Sequence, residues 1–217
     1  MAQDLGAIVV GQTGKVYTAP IGTTAPTDVT AAWGTGWVDL ATISEDGLTM
    51  AFNEDVTDIK QWGGGVVRKL ITSSETTFAF ACLESSKQVM EAFYKSTIDE
   101  ATSKLEIKGG VKAEAMWGFD VLDGATHLRI IVERGDLSER GDVVFKADQA
   151  AQMEFTITAY QNENLVSAIM YSDIANWAVV LGDEPEEEPT DDEPQPNEPG
   201  AYSPIEGDRE TAAKVEA

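Results

Sequence analysis

Covalent and acid–base chemistry needs nucleophiles, proton carriers or metal ligands within reach of one another, and this sequence offers few. Its 217 residues include one histidine, His127, and one cysteine, Cys82. The two lie in separate apolar runs, so neither a Cys–His pair, a Ser–His–Asp set nor a zinc cluster is spelled out. A single cysteine excludes an internal disulfide, and Cys82 on an apolar strand face reads as a small buried hydrophobe. Four acids, Glu45, Asp46, Asp55 and Asp58, gather around one segment, and carboxylates are what a hard cation takes. Their spacing departs from the twelve-position calcium loop, so a solvated segment is expected instead. Gly11-Gln12-Thr13-Gly14-Lys15 has the residue types of a phosphate-binding loop, but Val16 follows the lysine and the glycine spacing is too short. Glu-Arg-Gly-Asp occurs twice, at 133–136 and 139–142, and each copy holds the Arg-Gly-Asp of adhesion ligands. Glycine among charges is a turn signal, and both copies are expected as turns between strands. No catalytic residue, cofactor or metal is expected, and an enzyme is the reading these residues argue against.

Charge excludes a second class. The net charge is −23. Residues 183–217 hold 13 acids against 2 bases, which leaves 25 acids against 13 bases for residues 1–182. Proteins that grip nucleic acid cluster Lys and Arg to displace counterions, and no such cluster occurs here. No apolar run reaches the roughly 20 residues needed to span a bilayer, and no charged-then-apolar leader opens the chain. A soluble protein made in the cytoplasm, without a membrane role, is the expectation.

The elements that must position these residues are mostly strands. Leu48, Met50 and Phe52 alternate with Thr49 and Ala51, and Phe78, Phe80 and Cys82 with Thr77, Ala79 and Ala81. This is the period-2 pattern of strands with one buried face. Asp46-Gly47 reads as a turn before the first of them. Between them, Asn53 to Gly65 is polar and glycine-rich, with Trp62 its only aromatic, and is expected as a long projecting loop. Gly22 to Gly36 reads as an extended loop. Ser85 and Gln88 form a capping-box pattern before a helix whose Val89, Met90 and Phe93 share one face and which ends near Ser96. Met116–Val121, an Asp123-Gly124 turn and Leu128–Val132 suggest a hairpin. Met153, Phe155, Ile157 and Ala159 alternate with Gln152, Glu154, Thr156 and Thr158 as a half-buried strand. The segment Val166–Val180 offers one more. Strands outnumber helices, so an all-β sandwich or partly closed barrel with one flanking helix is expected for residues 1–182. Residues 183–200 hold nine acids, five prolines and no base. Such a composition cannot offset ordering entropy, so 183–217 is expected as a disordered tail.

Three phrases carry a resemblance. Ser44-Glu45-Asp46-Gly47-Leu48-Thr49, then Asp58-Ile59-Lys60 with Trp62-Gly63-Gly64, then the run Val67 to Glu84 resemble the major tail protein of long-tailed, non-contractile bacteriophages, the tail tube subunit. The similarity extends upstream to Val16–Pro20 and Gly22–Asp28, and more loosely downstream to Tyr160. The resemblance implies a β-sandwich that forms six-membered rings, with sheets of neighbouring subunits joined into one inner barrel and rings stacked into a tube. It further implies a tape measure protein and terminator or tip proteins as partners, DNA that passes through without being tightly bound, and a place in the virion tail. Some members append an immunoglobulin-like domain at the C-terminus; 35 residues are too few for the roughly 100 it takes. The alternative left open by the residues is a virion decoration or cell-surface adhesion module.

Two site expectations follow. Asn53, Asp55, Asp58, Trp62, Gly63, Gly64 and Gly65 are expected to form an arm that reaches a neighbouring subunit, with Trp62 as anchor. Glu154, outward from the core on its strand, is the candidate for a lumen-facing acid.

Overall fold

The computed structural model describes residues 8–40 and 42–174. Eight strands and one helix follow in the order β1 (Thr13–Ala19), β2 (Val38–Asp39), β3 (Ile43–Lys60), β4 (Val66–Cys82), α1 (Lys87–Tyr94), β5 (Glu114–Asp123), β6 (Thr126–Arg140), β7 (Met153–Ala159) and β8 (Ile169–Ser172). All strands belong to one antiparallel sheet ordered β2-β1-β5-β6-β7-β4-β3, with β8 paired to β6 off this path. The sheet does not close into a barrel. The acidic C-terminal stretch, the boundary at Gly182–Asp183 and Trp177 lie outside the described residues.

Strand β6 is what lets a single sheet cover both sides of a core. On one edge it pairs with β5 from Thr126 to Asp136; on the other, Leu128–Ile131 pair with β8 and Gly135–Arg140 with β7. One bulge interrupts the pairing with β5 and another the pairing with β7. Glu133 and Arg134 stand where β5 offers only Met116, and Ser138 is the extra residue between the pairs Leu137↔Ile157 and Glu139↔Thr156. An extra residue bends a strand and increases its twist, so β6 can serve two layers in turn. This corrects the expectation for the Arg-Gly-Asp repeats. Glu133–Asp136 lies within β6 rather than in a turn, and the second copy begins at the end of that strand.

The core lies between the two layers. Phe78 stacks on Phe119 at 5.1 Å between ring centres, and Phe80 on Phe155 at 4.9 Å. Phe93 of α1 meets Phe155 edge-on at 5.2 Å, so the helix adds its apolar face to the same core. Aromatic pairs in such geometries contribute roughly 0.5–1.5 kcal/mol each beyond the area they bury. The helix is capped by Ser86, one residue later than the capping-box pattern suggested; its hydroxyl accepts from the Val89 amide at 3.4 Å. Lys95 ends it in the left-handed conformation at φ 51°. That strained backbone is held by its side chain, which is buried and bonded to Asp136 at 2.6 Å and to the Leu137 carbonyl at 2.9 Å.

Candidate functional site

The long loop expected at Asn53–Gly65 is not a loop. Strands β3 and β4 continue past the body as a two-stranded hairpin, paired from Asn53↔Glu75 out to Lys60↔Val66, and only Gln61–Gly65 remains as its tip. Asn53 faces Glu75 across the ladder, and Asp58 faces Lys69. Asp55 opposes Ser73, whose hydroxyl donates to its carboxylate at 2.8 Å. At the tip the Gly64 amide donates to the Gln61 carbonyl at 3.1 Å, and Gly63 takes a φ of 73°, which an L side chain resists. Trp62 is fully exposed. At about 3.3 Å per residue, the eight residues from Asn53 to Lys60 carry the tip roughly 25 Å from the body.

The hairpin is apolar where a solvated hairpin should be polar. Among the described residues, nine of the twenty exposed large hydrophobic side chains fall between Met50 and Ile71, including Phe52 at 67% exposure, Val56, Leu70 and Ile71. Met50 and Phe52 were expected in the core with Leu48, but only Leu48 packs against it. The sandwich ends near Met50, so the alternation continues past the edge of the core that would have buried it. Asp46-Gly47, expected as a turn, lies inside β3, where four residues from Ser44 to Gly47 stand against Ala81 alone. Gly47 supplies the positive φ of 68° that this irregularity requires. Along its outer side β3 has no strand partner among the described residues, since it ends the sheet order. Open, apolar edges of this length are association surfaces unless covered.

On the middle strands β5 and β6, a buried polar cluster fixes the Gly22–Gly36 loop, and no motif along the chain announces it. Arg129 donates through Nε to Asp120 at 2.7 Å, and through one terminal nitrogen to the carbonyls of Asp28 at 2.9 Å and Ala31 at 2.6 Å. Trp33 donates its indole N–H to Asp120 at 2.7 Å, lies under the guanidinium at 4.6 Å, and stacks on Tyr17 at 4.3 Å. Burial pushes the Asp120 carboxyl up, but the bonds from Arg129 and Trp33 and the Arg129 charge outweigh it and hold it below the usual carboxylate range. His127 brings Nε2 to 3.0 Å from the same carboxylate. The lone histidine thus serves this cluster's geometry, and its sequence neighbours could not reveal that, because Asp120 meets it only across the β5–β6 ladder.

The remaining expected residues are placed as follows. Glu154 is exposed on β7, opposite Ala81 of β4 and beside Gly141. Cys82 is buried; burial first, then the charges of Glu84 and Asp39, push its thiol up to about 12. The first Arg-Gly-Asp is unavailable to a receptor, because Asp136 is buried in its ion pair with Lys95 and Arg134 is paired with Glu114 at 2.7 Å. Among the described residues, no group of three or more His, Cys, Asp or Glu stands together to hold a metal. No helix among them is long and apolar enough to cross a membrane.

A long open edge at β3 beside an exposed apolar hairpin is an association surface. The family model of phage tail tube proteins matches residues 1–178, and the chain belongs to that family. It is a structural subunit of a tail tube. No curated protein sequence matches it. Among solved structures, it is similar to the sheath–tube complex of the extracellular contractile injection system PVC, at 10% identity and a TM-score of 0.42, covering 76% of this chain and 92% of that one. It is similar to the tube-terminating cap of the anti-feeding prophage at 12% identity and a TM-score of 0.43, covering 79% and 95%. Hcp1 of E. coli EAEC 042 follows at 10% identity and a TM-score of 0.28, covering 75% and 98%. Likeness at this level carries no argument about partners.

Proposed function

We propose that this subunit closes into six-membered rings that stack into the tube of a long, non-contractile tail, and that the β3–β4 hairpin is the arm joining one copy to the next. The role is purely structural, with synthesis in the host cytoplasm and capping by terminator and tip proteins around a tape measure protein. The observation that carries this reading is the hairpin itself. A large apolar side chain stabilises by about 1.5–3 kcal/mol when fully buried, and this hairpin holds nine of them in water. A neighbour's sheet laid along the open edge of β3 would satisfy its backbone groups as well.

The register of the hairpin defines the test. Residues 54–74 can be replaced by a two-residue turn joining Asn53 to Glu75, which preserves the pair Phe52↔Thr76. The shortened chain should fold as a monomer and form no tubes in negative-stain images. Tubes of normal length from it would overturn the role of the arm.

The lumen of such a tube must pass DNA without gripping it. We place Glu154 on that wall, on the support of its exposure and of the acidic balance of residues 1–182. A basic residue there would be repeated in every subunit, and about 6–10 phosphate contacts already give strong, salt-dependent binding.

A further inference from the structure

The arm needs a place to land. A half-open cavity of about 250 Å³ lies between α1 and the strands beside it, with Thr18, Val38, Ala92, Ala115, Trp117 and Leu137 on its walls. Its lining is mostly apolar, and it is smaller than the roughly 300–1,000 Å³ of sites for drug-sized ligands. Its size and character suit one large side chain. Trp117 forms part of the wall, and its own indole nitrogen is buried without a partner among the described residues.

Charge indicates whose side chain it is. From Ile59 to Leu70 the arm carries Lys60, Arg68 and Lys69 and no acid, on a chain whose net charge is −23. None of the three forms a salt bridge among the described residues. Asp58 faces Lys69 across the ladder, but Lys60 and Arg68 face Val66 and Ile59, and their own body lies roughly 25 Å away, more than two Debye lengths at 0.1 M salt. The cavity rim is acidic. Glu114 is held by Arg134, but among the described residues Glu91 makes no salt bridge and its carboxylate accepts the Ile98 amide, while Lys95 is consumed by Asp136 and the Leu137 carbonyl. A basic tip and an acidic rim are complementary only between two chains, because a paired hairpin cannot fold back onto its own body.

We propose that Trp62 of one copy seats in this cavity of the next, its ring against Trp117 and Leu137, with the basic residues of the tip beside Glu91. The proposal rests on the tube reading and adds the receiving site. It fits the one feature of the tip that pairing and turn formation leave unused: a fully exposed indole.

Two variants test it in the full-length chain. Trp62→Ala removes a fully exposed side chain, so the monomer should keep its stability while the protein concentration needed for assembly rises at least roughly tenfold, the loss of an anchor residue. Trp62→Phe should recover part of the difference. Unchanged assembly by Trp62→Ala overturns the proposal. In the second test, Gly65→Cys, where a side chain meets nothing within 4 Å, is combined with Gln88→Cys on the cavity rim, and tubes are treated with a short bis-maleimide. Ladders of linked chains from the double variant, absent from either single variant, support the site. Normal tubes without ladders overturn the receiving site but leave the tube reading standing. Failure of the unaltered protein to form tubes under any condition overturns both.

Discussion

Replacing Arg129 with methionine should unfold the anchor of the Gly22–Gly36 loop. The change removes two hydrogen bonds to Asp120 and two to the backbone carbonyls of Asp28 and Ala31. It leaves a buried carboxylate held by the Trp33 indole N–H, with His127 Nε2 3.0 Å away. Breaking a buried pair from one side costs about 3–5 kcal/mol, because the partner's charge stays out of water uncompensated. For a domain of this size, about 2–4 °C per kcal/mol implies a fall in Tm on the order of 10 °C. Urea unfolding of the unassembled protein measures the loss, and the double variant Arg129→Met with Asp120→Asn should recover part of it. Acid adds a second reading. The folded Asp120 carboxyl is held below its usual range, so its contribution is complete above the unfolded value of about 3.9 and drains away as pH falls through the folded one. Asp120→Asn should lack that acid-side loss. If Arg129→Met stays within about 1 kcal/mol of the unaltered protein, the cluster is ornament and the reasoning fails.

Further outcomes can be measured on the same material. Gly118→Ala drives a methyl into the Trp33 ring, so the loop should lift from the sheet at a cost of about 1–3 kcal/mol, visible as faster amide exchange across residues 22–36. Cys82 should ignore a thiol reagent at pH 8 in the folded protein and react at once in urea, since its thiol is buried and titrates only at about 12. Glu154→Lys should still give tubes but slow DNA passage, most at low salt where screening is weakest; passage unchanged at every ionic strength would remove Glu154 from the lumen.

The strands of the sandwich were legible because each has one face in a core. Phe78, Phe80, Phe155 and Ile157 alternate with polar or small residues, and that period survives in the sequence whatever the partner strand is. The family was legible too, in the phrases around Gly47, Trp62 and Thr76. The arm was legible as a segment but not as a hairpin. Beyond Met50 no core lies on either side, so apolar and polar residues fall on both faces and the period-2 signal vanishes while the ladder continues. The sequence located the helix within a residue of its start; which serine caps it was decided by how α1 docks. The fate of Asp120, His127, Arg129 and Asp136 was invisible along the chain. Each of them gains its partner across a strand ladder or from a distant loop, and charges that meet that way are chosen by the register of β5 on β6 and by the bulges of β6. Residue types and their spacing determine which strands can exist. Only the packing of those strands decides which charges are buried together and which apolar residues stay exposed.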